Sequence, residues 1–218
     1  MEILQTYTFV IVLGITGVVV ALVFYSRWKR RQALAQLAGS MGLAFLPEGP
    51  DMGALGATGL ELFRLGHARK AANLISVESR SGAINFFDYR YTTGGGKNSQ
   101  LHKFTLALMP CPGCAVPHFD LKPETFIHKI GEAIGFKDID LPAFPLFSDK
   151  YRLTGPDETA VHMFFTPRRA AWFERNPGLR LQGAPGHVVL FKKAGQLPVA
   201  DWQNFMEEVK AFAAEVLV

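Results

Sequence analysis

Cysteine is scarce in this chain: there are two, Cys111 and Cys114, among 218 residues, and neither lies near the N-terminus. That argues against a bacterial lipid-modified anchor. No second CxxC or HxxxH pair accompanies them, so the full ligand set of a structural zinc site is missing from the sequence. No Lys or Arg precedes the first apolar run and no small-residue cleavage site follows it, as a cleaved secretory signal would require. No fixed-period repeat and no low-complexity tract is visible. The six histidines, His67, His102, His118, His128, His162 and His187, are scattered, and none belongs to an HExxH or comparable local motif.

Charge is missing from one long stretch. Ile3 to Ser26 is 24 residues without a charged side chain, and Arg27, Trp28, Lys29, Arg30 and Arg31 follow at once. At ~1.5 Å rise per residue such a helix reaches about 36 Å, enough to cross a hydrocarbon core of about 30 Å with some tilt. Tyr7 and Tyr25 sit at its two edges, where amphipathic rings prefer the headgroup zone. Glu2 is the only charge before the run, whereas Arg27, Lys29, Arg30 and Arg31 form a basic cluster after it; this bias predicts an N-terminus outside and a C-terminal part in the cytoplasm.

The isoelectric point near 9.1 suggests a nucleic-acid partner until the flank is set aside. Four of the 23 Lys and Arg are in the basic cluster and Glu2 is one of the 19 Asp and Glu, which leaves residues 32–218 with a formal excess of one positive charge. The excess therefore belongs to the bilayer surface, where each basic residue contributes on the order of 1 kcal/mol beside anionic lipid. Without a basic stripe interleaved with aromatics, no nucleic-acid partner is expected.

After Gly42 the periodicity turns strand-like. Leu43 to Leu46, Leu60 to Leu65, Ala72 to Ser79, Ala83 to Thr92 and Leu101 to Met109 are rich in β-formers, with Arg80-Ser81-Gly82 as a turn. Phe104, Leu106 and Leu108 alternate with Lys103, Thr105 and Ala107, which predicts one buried face. Helical signals occur at Pro123 to Ile134, Asp157 to Phe165 and Pro167 to Asn176, with Asp157 placed as a cap. A hairpin, Leu179 to Gln182 and His187 to Lys192, leads to a last helix whose apolar stripe includes Trp202, Phe205, Met206, Val209, Phe212 and Val216. Before the strands, Leu34, Leu37, Ala38 and Met41 share one helical face, so the basic segment is expected to continue the membrane helix and dock on the domain.

Cys111-Pro112-Gly113-Cys114 has a spacing that serves both dithiol redox chemistry and metal binding, with His118 the nearest further ligand. Against redox chemistry, Val116 to Leu121 reads as extended, not as the helix whose N-terminus would activate a thiol. A Pro-Gly turn between two reduced cysteines is the plainer reading. Gly94-Gly95-Gly96-Lys97-Asn98-Ser99 imitates a phosphate-binding loop, but Tyr91 occupies the place of its first glycine, Asn98 that of its Ser or Thr, and a strand follows instead of a helix. Gly39-Ser40-Met41-Gly42 lacks a nucleophile elbow's setting, and Asp157-Glu158 is explained by helix capping.

At Phe87-Asp88-Tyr89-Arg90-Tyr91, His118-Phe119-Asp120-Leu121-Lys122-Pro123-Glu124 and Phe147-Ser148-Asp149-Lys150-Tyr151-Arg152-Leu153-Thr154-Gly155, the chain resembles a set of bacterial proteins with one N-terminal membrane span and a C-terminal mixed domain. The resemblance covers most of the soluble part, implies the same architecture and brings no activity with it. The cysteine pair is not part of its pattern.

The expectation is an α+β fold: an N-terminal transmembrane helix, then a mainly antiparallel sheet domain with packed helices and a C-terminal amphipathic helix. Residues 1–26 would hold the tail and span (about 5–25), 27–42 a basic juxtamembrane helix, and 43–218 a cytoplasmic domain. The expected role is an interaction or accessory domain anchored at the bacterial inner membrane, with no catalytic residue and no cofactor assigned. Its partners would be the lipid bilayer and another membrane or cytoplasmic protein. Gly17 and Ala21 form one small-xxx-small pair, which leaves a homo-oligomer open. The alternative is a membrane-tethered dithiol- or metal-dependent enzyme using Cys111 and Cys114. A lipid-headgroup domain would need a basic concave face, which residue order does not display.

Overall fold

Helix α1 (Glu2–Ser40) is one uninterrupted helix of 39 residues with no proline to break it. It describes the end of the apolar run and the basic segment as a single rod. It stops at Gly42, whose φ of +68° suits a residue without a Cβ; the Leu43 N–H donates to the Ala38 carbonyl at 2.9 Å and the Gly42 N–H to that of Gly39 at 3.1 Å, a Schellman closure. Leu34 and Ala38 on its last turns are fully buried, and Leu37 and Met41 pack beside them. The computed structural model describes residues 2–124, 138–192 and 195–217, and the remaining strands and helices follow α1.

These are β1 (Phe45–Glu48), α2 (Met52–Ala57), β2 (His67–Val77), β3 (Ile84–Thr93), β4 (Gln100–Pro110), β5 (Phe119–Pro123), α3 (Pro145–Lys150), β6 (Tyr151–Thr154), α4 (Glu158–Phe164), α5 (Pro167–Arg175), β7 (Leu179–Ala184), β8 (His187–Lys192) and α6 (Trp202–Val216). The eight strands form one sheet in the order β1-β2-β3-β4-β8-β7-β5-β6 with antiparallel pairing throughout, so the fold is α+β. β1 and β6 are the outermost strands of this order, and Asp138 bridges β6 at Thr154 while the Ile139 N–H donates to the Leu153 carbonyl at 2.7 Å; among the described residues the sheet is open. β2 is irregular: its register with β3 shifts twice, near the positive-φ residues Ala68 and Asn73.

Both faces of the sheet are covered. On one, Ile75, Phe86, Ala107 and Leu190 pack with Leu34 of α1, Phe173 of α5 and the α6 stripe Trp202, Phe205, Met206, Val209, Phe212 and Val216. On the other, Phe87, Tyr89, Phe104 and Leu106 pack under Leu55, Leu62 and Phe63. This corrects the single buried face expected of β4, where Thr105 and Ala107 are as fully buried as Leu106. It also explains why Leu60 to Leu65 is not a strand. Glu61–Phe63 is a 3-10 turn whose Leu62 N–H donates to the Gln182 side chain at 3.0 Å, so the segment caps the sheet instead of joining it. The Asp157 cap is present, accepting from the Ala160 N–H at 3.0 Å. Pro123 closes β5, and the helix expected from there to Ile134 lies, beyond Glu124, outside the described residues.

Candidate functional site

Register places three cations in one row. Lys70 of β2 is paired with Arg90 of β3, and Arg90 with Lys103 of β4, so the three side chains stand side by side on the sheet face over which α1 runs. In the next row Ala72, Asp88 and Thr105 are aligned in the same way. Above them α1 contributes Ser26, Arg27, Arg30 and Arg31, and the loop before α6 contributes Gln196, enclosing a cleft of about 180 Å³. It opens where the apolar half of α1 ends.

The charge inside is lopsided: among the described residues, six cations and a single carboxylate, Asp88, line the cleft. That carboxylate is already engaged. Arg30 donates to both its oxygens, Nε to Oδ2 at 2.7 Å and Nη2 to Oδ1 at 2.8 Å, while Asn73 donates to Oδ2 at 2.8 Å and the Thr105 hydroxyl to Oδ1 at 3.1 Å. Arg30 also lies 5.9 Å from the centre of the Trp202 ring. Among the described residues, no carboxylate pairs with Arg27, Arg31, Lys70, Arg90 or Lys103. Partial burial, and then the nearby Arg27 guanidinium, push the Arg90 pKa down from its ordinary value.

Of the basic residues expected at the membrane surface, Arg27 and Arg31 are exposed and border this cleft, Lys29 is exposed outside it, and Arg30 is turned onto the sheet with its side chain 18 % exposed. Lys70, Arg90 and Lys103 were not foreseen, because no local motif links them. Cys111 and Cys114 lie far along the chain on the turn after β4 and are joined as a disulfide, with a Cα separation of 5.4 Å, where the sequence reading had reduced thiols. The tight Pro-Gly turn brings the two positions within bonding reach. Cys111 is buried in the core and Cys114 borders a second cleft with Ser81, Met163, Phe164 and Leu217. His118 is exposed, with its ring near Gly59. Among the described residues no group of three His, Cys, Asp or Glu side chains is arranged to hold a metal ion.

α1 is long and apolar enough to cross a membrane: Ile11–Ser40 contains a window of mean hydropathy 1.8, none of it buried against the domain. An N-terminal helix of this kind is consistent with a membrane anchor. No family model and no curated protein matches the chain. Among solved structures, its fold is similar to the crystal structure of the mycobacterial trehalose monomycolate transport factor A, TtfA, with a TM-score of 0.51 and 14% identity over 84% of this chain and 90% of that one.

Proposed function

We propose that the protein is a single-pass membrane protein of the bacterial inner membrane, N-terminus outside, whose cytoplasmic α+β domain, residues 43–218, acts as an interaction or accessory module. The observation that carries this is the course of α1. One helix leaves the apolar segment, passes the basic cluster and ends with Leu34 and Ala38 in the core, so the domain is fixed to its anchor without a linker. The basic residues lie on the domain side of the apolar run, which favours the cytoplasmic side for them. The protein of similar fold, TtfA, is a transport factor; the shared fold lends support to an accessory role for this chain and says nothing of its cargo. Pairing of two copies along Gly17 and Ala21, which are exposed on α1, belongs to the same reading.

The test is site-directed labelling of the full chain in intact cells, in a background with both native cysteines replaced by serine. Glu2→Cys should react with a membrane-impermeant maleimide, and Met163→Cys, at an exposed position, should react only after permeabilisation. The reverse pattern would overturn the orientation. Extraction of the full chain by alkaline carbonate would overturn the anchor itself.

A further inference from the structure

We infer that the cleft between α1 and the Lys70–Arg90–Lys103 row is a binding site for the phosphate-bearing headgroup of an anionic phospholipid. Like charges directly opposite one another on neighbouring strands are destabilising. Here three stand in one row with Arg27 above them, and the one carboxylate of the cleft is saturated by Arg30, Asn73 and Thr105. A row of lysines on an open surface would be relieved by water. Here Lys70 and Lys103 do reach solvent, but the Arg90 between them is half-buried in the cleft that α1 borders. An anion placed between the row and Arg27 and Arg31 would turn every repulsion into an attraction, and guanidinium groups suit phosphate because they offer paired N–H donors.

The source of the phosphate follows from position. Ser26, the last residue of the uncharged run, and Arg27, the first after it, both line the cleft, so the site lies at headgroup level when α1 spans the bilayer. Lipid as the source rests on the anchor reading; anion binding itself rests on the register and the charge count alone. This gives the segment from Arg27 to Arg31 two tasks, since Arg30 ties helix to sheet while Arg27 and Arg31 remain for the ligand.

The experiment uses the purified full chain in neutral detergent, titrated with dihexanoyl-phosphatidylglycerol, dihexanoyl-phosphatidylcholine and inorganic phosphate. Affinity is read by thermophoresis, and the unfolding midpoint is recorded without ligand. The glycerol lipid should bind at least tenfold tighter than the choline lipid. Arg90→Gln, and Lys70→Gln with Lys103→Gln, should weaken it at least tenfold while leaving the ligand-free midpoint unchanged or raised, because each removes a like-charge contact. A purely structural row would lower that midpoint. Lys97→Gln, which removes a charge from an exposed turn outside the cleft, should bind as the parent does. Equal binding of the two lipids, or equal loss in Lys97→Gln, would overturn the site. Inorganic phosphate binding as tightly as the glycerol lipid would overturn the lipid source. Flotation of the full chain with pure phosphatidylcholine vesicles reports on the anchor separately, since such vesicles present no net charge to the cleft.

Discussion

Arg30 and Asp88, separated by 58 residues, meet through two hydrogen bonds of 2.7 and 2.8 Å, and this pair pins the helix that carries the apolar run to the middle of the sheet. The Asp88 side chain is 6 % exposed. Two further donors, Asn73 and Thr105, fix its position, so the carboxylate is oriented from the sheet side before the helix arrives. Arg30 takes the only negative charge that the described residues bring to the cleft, and the remaining five cations are left for something else.

Asp88→Ala should be among the most damaging single substitutions. It strands a largely buried guanidinium and orphans the Asn73 and Thr105 donors, and breaking a buried pair in this way costs about 3–5 kcal/mol. Lys29→Ala, one residue away from Arg30 and exposed, should change stability by about 0.5 kcal/mol or less. Urea unfolding of the detergent-solubilised full chain, followed by tryptophan fluorescence, separates the two; equal effects would deny the pair its role.

Leu34→Ala probes the joint between helix and domain. Leu34 is fully buried, and truncation of such a leucine costs about 2–5 kcal/mol. The exposed Gln36→Ala on the opposite side should be near neutral. Protease cleavage around residues 26–42 should accelerate in the leucine variant alone, and unchanged cleavage would mean that α1 docks without it.

Acid should find a weak point at Asp120. Burial alone pushes its carboxyl up, but the Arg180 guanidinium, at 2.9 and 2.5 Å, and then Lys122 at 3.1 Å outweigh burial and hold it below the ordinary 3.8. A folded-state value below the unfolded one gives stability that is complete above about pH 3.9 and is lost as pH falls through the folded value. Asp120→Asn should therefore cost about 1.5–3 kcal/mol at neutral pH and show a flatter decline below about pH 3.9. An acid limb as steep as the parent's would assign the sensitivity elsewhere.

The cysteine pair reports on sidedness. In the cytoplasm proposed for the domain, the glutathione pool would open the Cys111–Cys114 disulfide that the structure shows, so a thiol-reactive polymer added at lysis should attach twice without prior reductant. Protection until reductant is added would place the domain on the oxidising side. Replacing both cysteines by serine should cost the oxidised protein ~2 kcal/mol at most, because the bond closes a very short loop.

Much of the sheet was legible because long strands with strong β-formers leave little choice. Ala83 to Thr92 and Leu101 to Met109 correspond to β3 and β4 within a residue at each end, and the α6 stripe is buried as its periodicity required. Leu60 to Leu65 misled because a short apolar run reads the same whether it enters a sheet or covers one. The start of β2 was missed for another reason: His67 to Lys70 carries no alternating pattern, and Ala68 and Asn73 adopt positive φ that breaks the period of two. The cleft was invisible in principle. Lys70, Arg90 and Lys103 are spread over three strands, and a nearly balanced net charge for residues 32–218 conceals any local concentration. Only the pairing register, which depends on every strand at once, makes them neighbours.

The closure of α1 at Gly42, with Leu34 and Ala38 clamped in the core, has a mechanical meaning. A rod without a break that is gripped at one end transmits torque as well as position. With its apolar half held in a bilayer, a turn of that half about its long axis turns the eight-stranded sheet with it, and a change of tilt swings the distant edge β6 like the blade of an oar. A mismatch between the apolar half and the membrane thickness, to which tilting is one response, would then steer which edge of the domain is offered to whatever it meets.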